Sequence, residues 1–123
     1  VDLAGAEYPD QREGVPVLNK RGLSLVDNLR GEQAAPHPWL FWEHEGHGAL
    51  RKGKWKLVSV DPKDTSKWEL YNMQTDRTET NDLSGKSPRR REQMMEAWYK
   101  RAREMKVIPW PDYSQAKRNP VDK

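Results

Sequence analysis

The stretch His44-Glu45-Gly46-His47 is the part of this sequence richest in groups that bind or react. Imidazole and carboxylate side chains ligate metals and grip polar substrates near neutral pH. If the run continues as a strand, Glu43, Glu45 and His47 share one face, because alternate strand residues point the same way. A set of three on an exposed strand leaves the ligand shell open, and such side chains are ordinarily solvated, so no metal site is assigned to this chain. Asp76 to Asp82 has the acidic, turn-forming texture of a calcium loop, yet it lacks the glycine and the terminal bidentate glutamate that such a loop needs. Arg89-Arg90-Arg91 would attract phosphate or a sulfated polymer. Glu92, Glu96 and Glu104 interleave with the basic residues at helical spacing, and no nucleic-acid reader motif accompanies them, so no nucleic-acid partner is expected.

The elements that would position these groups are legible from periodicity. Trp39-Leu40-Phe41-Trp42-Glu43-His44-Glu45 is aromatic-rich and bounded by Pro38 and Gly46, a strand signal. Gly48 to Arg51 and Lys54 to Val60 flank Lys52-Gly53 and read as a hairpin, with Trp55 and Leu57 on one face and Lys56, Val58 and Val60 on the other. Trp68-Glu69-Leu70-Tyr71 is a further alternating strand. Ser87-Pro88 offers a cap oxygen and a proline at the first helical position. From there Met94, Met95, Trp98, Ala102 and Met105 recur at intervals of three and four, which predicts an amphipathic helix of about five turns ending before Pro109. A sheet with one apolar face and a helix with one apolar stripe bury each other. The expected fold class is therefore α+β: a small antiparallel sheet of about four strands packed against one long C-terminal helix. Trp55, Trp68 and Trp98 point inward in these patterns, while Trp39 and Trp42 either stack on a sugar ring, pack the sheet or face another domain.

Composition limits the rest. With 123 residues, 33% charged and 34% hydrophobic, the chain holds one modest core, much of it carried by six tryptophans. The net charge of +3 comes largely from Arg89 to Arg91 and from Lys100, Arg101, Arg103 and Lys106. Without cysteine there is no disulfide, thiolate metal site or cysteine nucleophile. No apolar run reaches the length of a membrane span, so no membrane partner is expected. The start, Val1-Asp2-Leu3-Ala4-Gly5, reads as cut from something longer. Residues 1 to 36 read as connector, with a short helix near 23 to 30 built on Leu23, Leu25, Val26 and Leu29 and ended by Gly31. Residues 37 to 110 form the sheet-and-helix unit, and 111 to 123 an extended tail.

Two runs carry a family resemblance: Leu40-Phe41-Trp42-Glu43-His44-Glu45-Gly46-His47-Gly48-Ala49-Leu50-Arg51-Lys52-Gly53-Lys54-Trp55-Lys56-Leu57-Val58, and Trp68-Glu69-Leu70-Tyr71-Asn72-Met73 followed by Asp76-Arg77-Thr78-Glu79-Thr80-Asn81-Asp82-Leu83. Together they resemble the C-terminal subdomain of the arylsulfatases, formylglycine-dependent sulfuric ester hydrolases, where a W-E-H-E-G strand, an R-x-G-x-W-K-L hairpin and a W-E-L-Y segment occur in this order. Leu3-Ala4-Gly5-Ala6 and Gly22-Leu23-Ser24-Leu25 resemble that family's connectors. At His47-Gly48 the chain departs from the N-R that the resemblance leads one to expect.

The resemblance implies a large α/β catalytic domain outside these residues, holding a calcium ion and a formylglycine made from Cys or Ser in a C/S-x-P-x-R motif. That motif is absent from this chain. The chain itself is thus expected to hold no cofactor and no catalytic residue, and to hydrolyse nothing alone. The catalytic domain of the same polypeptide is the implied partner, with a sulfate ester as substrate of the intact enzyme. By the same resemblance the strand end lies near the mouth of the catalytic pocket, which makes His44, Glu45 and His47 candidate substrate-binding residues. Family habit implies a bacterial periplasmic or secreted enzyme. Separation from a partner would leave an exposed apolar patch, so self-association of the isolated chain is expected. The alternative function class is a stand-alone carbohydrate-binding or interaction module.

Overall fold

The computed structural model describes residues 1–18, 22–34 and 36–110. The tail expected over 111–123 lies outside the described residues. The chain divides into two compact units, Val1–His37 and Pro38–Lys123.

The first unit buries none of its described residues. Gln11–Arg12 (β1) and Val15–Pro16 (β2) pair antiparallel across Glu13 and Gly14, both with positive φ, the backbone of a two-residue hairpin turn that follows strand twist. The helix expected near 23 to 30 is a single turn, Val26–Leu29 (α1). The Glu32 N–H bonds back to the Asp27 carbonyl at 2.8 Å, and Gly31 (φ 79°) turns the chain away. Leu23, Leu25 and Leu29 remain exposed, so the apolar spacing that suggested two turns has no surface in this unit to pack on.

The second unit is the α+β layer pair that the periodicities predict. Leu40–His44 (β3), His47–Lys52 (β4), Trp55–Ser59 (β5) and Trp68–Asn72 (β6) form a four-stranded antiparallel sheet in sequence order. Pro88–Glu104 (α2) crosses one face. Register explains the core. Phe41, Leu50, Leu57 and Leu70 stand in one cross-strand row, and Glu43, Gly48, Ser59 and Trp68 in the next row on the same side. Met94, Met95 and Trp98 of α2 descend on these rows, and Leu57 and Leu70 are fully buried. Trp98 is the keystone of the packing: its ring stacks on Phe41 at 5.5 Å and meets Trp68 edge-on at 5.2 Å, geometries in which aromatic quadrupoles attract. Its indole N–H donates to the Trp42 carbonyl at 3.1 Å. Trp55 is half-buried against the same cluster, with the Arg90 guanidinium 4.5 Å above its ring.

Gly48 explains the departure from N-R. A Cβ there would lie 2.9 Å from Pro62 Cγ and 2.9 Å from the six-membered ring of Trp98, so the indole uses the space that any side chain would occupy. Other boundaries differ from those expected. The β4–β5 turn is Gly53-Lys54, with Lys52 paired to Trp55, and Gly53 alone takes positive φ, 56°. Ser87 precedes α2 but makes no side-chain cap bond; Pro88 starts the helix without it.

The links are pinned by side chains. Asp64 accepts from the Ser66 N–H at 2.9 Å, capping the 3-10 turn Thr65–Lys67. Tyr99 donates its hydroxyl proton to the Pro62 carbonyl at 2.6 Å and accepts from the Trp68 indole at 3.3 Å. Asp82 accepts from the Leu70 N–H at 2.9 Å, and the Leu83 N–H donates to the Leu70 carbonyl at 2.8 Å, which covers the outer edge of β6.

Candidate functional site

The β3–β4 hairpin carries the three residues singled out in the sequence, and its turn separates them. His44 and His47 are a directly opposed cross-strand pair, both exposed. Glu45 and Gly46 are the two central turn residues, with φ of 49° and 81°, the doubly positive pattern of a tight hairpin. The strand therefore stops at His44, and the shared face expected for Glu43, Glu45 and His47 does not form. Glu43 instead points to the α2 side, where its Oε1 accepts from the Gly46 N–H at 3.0 Å and closes the turn. Among the described residues no group of three His, Cys, Asp or Glu side chains is arranged to hold a metal.

Two grooves flank this hairpin. The first lies on the sheet face away from α2, with a volume of about 600 Å³. Its floor is a cross-strand row of Trp42, Ala49 and Val58, ending at Glu69. His44 and His47 stand at one rim, and Lys67 and Asp82 belong to its lining. Ala49 leaves a depression between the larger neighbours, and Trp42 is 46% exposed. The second groove, about 480 Å³, lies on the other side and contains Glu43, Glu45, Asp61, Trp98, Tyr99 and Trp110 in its wall. Glu45 thus belongs to a different surface from the two histidines. The sequence reading missed the first groove, because it exists only when three strands are in register; the alternation of Trp42, of Ala49 and of Val58 within their own strands was the available signal.

Several charges around these surfaces are engaged. Lys67 pairs with Asp61 at 3.2 Å and with Asp64 at 3.7 Å. Burial works against ionisation of Asp82, but the Ser84 hydroxyl, the N–H groups of Leu70 and Ser84, and the Arg91 guanidinium together hold its carboxyl below the ordinary value. Burial first, then the Glu69 carboxylate that accepts its hydroxyl proton at 2.7 Å, pushes the Tyr71 phenol well above the ordinary value. The Asp76 to Asp82 turn is closed on itself: Asp76 accepts from the Asn81 N–H at 2.9 Å and from the Thr80 N–H at 3.1 Å, which lowers its pKa and leaves it organised as a turn rather than a cation cradle. The basic run is dispersed rather than concentrated. Arg91 donates to the Thr65 carbonyl, Arg90 covers Trp55, and further along α2 Arg101 lies 3.7 Å over Trp39 while pairing with Glu104 at 2.7 Å.

No family model matches the chain. Over 117 residues it is 30% identical to an uncharacterized sulfatase of the fission yeast Schizosaccharomyces pombe, a match that covers 91% of this chain and 21% of the relative. The chain therefore spans about a fifth of the length of that curated relative, and it is distantly related to a sulfatase through nearly all of its own residues. The named relative is eukaryotic, which corrects the expectation of a bacterial periplasmic or secreted enzyme. That expectation came from family habit and had no residue of this chain behind it. Among the described residues no helix is long and apolar enough to cross a membrane.

Proposed function

We propose that this chain is the C-terminal accessory part of a sulfuric ester hydrolase of the arylsulfatase type. One observation carries the reading: the similarity to a sulfatase extends over 117 residues and 91% of the chain rather than over one short motif. In this reading the nucleophile and the calcium ion belong to the catalytic domain of the same polypeptide, in keeping with the absence of a C/S-x-P-x-R motif among these 123 residues. The sheet-and-helix unit supports that domain. His44 and His47, side by side at the hairpin end, are presented toward a sulfate ester at the rim of the pocket, and Glu45, at the hairpin tip, approaches it from the other groove. Residues 1 to 36 serve as the connector. Two imidazoles at a pocket mouth suit a substrate rich in oxygen acceptors, because each ring can donate a hydrogen bond.

The test is mass spectrometry of the protein made from the whole reading frame, with sulfate release from an aryl sulfate measured on the same sample. A peptide bearing formylglycine together with hydrolysis is the expected result. A frame that encodes no C/S-x-P-x-R segment refutes the proposal.

A further inference from the structure

Helix α2 covers one face of the sheet, and the other face keeps an apolar groove whose central tryptophan is nearly half exposed. We infer that this groove, floored by Trp42, Ala49 and Val58, is the seat for an apolar ridge of the catalytic domain, and that Trp42 is the anchor of the contact. The inference rests on the sulfatase reading and adds to it the surface through which the two parts meet.

Three features select this occupant. The row Trp42, Ala49, Val58 runs across three strands in register, so the depression over Ala49 lies on rigid, hydrogen-bonded backbone. A preformed apolar slot with a tryptophan in its floor is what a buried anchor contact requires, because such a site loses little conformational entropy on binding. The polar groups of the groove argue against a sugar. Lys67 is held by Asp61 and Asp64. Glu69 accepts from Tyr71, Asp82 from Leu70 and Ser84, and the Ser59 hydroxyl from the Asp61 N–H. A glycan needs converging donors and acceptors that are free to read its hydroxyls. Among the described side chains that line this groove, the two rim histidines and the Trp42 indole N–H make no hydrogen bond. An apolar side chain makes no such demand. Finally, the sulfatase relative is about five times as long as the matched segment, which supplies a partner large enough to cover the face. Seating the groove in this way carries the His44–His47 pair to the seam between the two parts, where a pocket rim would lie.

Hydroxyl-radical footprinting of Trp42 tests this, comparing this chain alone with the protein made from the whole reading frame. Going from 46% exposure to the buried state of an interface core, Trp42 labelling is expected to fall by about five-fold in the long protein. The substitution Trp42→Ala is expected to lower the unfolding temperature of the long protein while the far-UV spectrum of the short chain stays unchanged. A long protein that carries formylglycine and cleaves aryl sulfates, yet labels Trp42 as strongly as the short chain, overturns the inference and leaves the sulfatase reading standing. A long protein without formylglycine removes both. Protection of Trp42 that appears only with added neutral or sulfated glycan assigns the groove to a sugar and overturns the inference. Equal protection in concentrated samples of the short chain assigns it to a second copy, with the same consequence.

Discussion

Substituting Gly48 by alanine isolates the packing contact on which the second unit turns. Gly48 sits in extended backbone, where exchanging glycine for alanine ordinarily stabilises a protein by about 0.4–1 kcal/mol through the unfolded state. Here the new Cβ would lie 2.9 Å from the Trp98 ring and 2.9 Å from Pro62, and both neighbours are rigid rings. Forcing one carbon into a packed core costs about 1–3 kcal/mol. Moving Trp98 aside also weakens its 3.1 Å hydrogen bond to the Trp42 carbonyl, a loss of about 1 kcal/mol. The net expectation is destabilisation by about 2 kcal/mol, read as a lower urea midpoint by far-UV circular dichroism at unchanged slope. In a Trp98→Phe background the penalty for Gly48→Ala should shrink by at least about 0.5 kcal/mol, because the ring atoms that the methyl would strike are gone. As a control, Gly53→Ala meets nothing within 4 Å, and its cost of about 1–2 kcal/mol comes from positive φ alone, so it should be indifferent to Trp98. A Gly48→Ala variant as stable as the parent, or more stable, refutes the argument.

Three further outcomes follow from named contacts. Tyr99→Phe removes the donor to Pro62 and leaves the Trp68 indole without its acceptor, so stability should fall by about 1–3 kcal/mol, measured by urea titration. Ser87→Ala should change stability by less than about 0.5 kcal/mol, since Ser87 makes no side-chain cap bond and the usual cap penalty of about 1 kcal/mol does not apply. The Asp82 carboxyl is held below the ordinary 3.8 in the folded state, so its contribution to stability is complete above that value and is lost as pH falls through the depressed folded pKa. Asp82→Asn should therefore flatten the acid limb of a stability-against-pH curve, and an acid limb identical to the parent's contradicts the assignment.

Sheet and helix were readable because the second unit obeys local periods. Leu50, Leu57 and Leu70 fall on the alternate positions that the sheet buries, and Met94, Met95 and Trp98 on the helical stripe that meets them. What the sequence concealed depends on register or on three-dimensional space. Glu45-Gly46 lacks the Asn-Gly or Asp-Gly signature of a tight hairpin, so Glu45 read as strand although it takes φ of 49°. That one turn parts Glu45 from His44 and His47 and dissolves the face imagined for a metal. Gly48 looked like a departure from the family pattern because nothing local shows that Trp98, fifty residues later in the chain, occupies the space above it. The spacing around Leu25 and Leu29 suggested a longer helix because amphipathic spacing reports an opportunity to pack, and the first unit supplies no buried partner.

Under the proposed function, these residues support sulfate-ester hydrolysis by the rest of the polypeptide without performing it. Sulfate release from a fluorogenic aryl sulfate should be measured for the protein of the whole reading frame, for that protein lacking residues 38–110, and for this chain alone. Turnover is expected from the first, loss of turnover or of stable protein in the second, and none in the third. Turnover by this chain alone, or undiminished turnover after the deletion, contradicts that function.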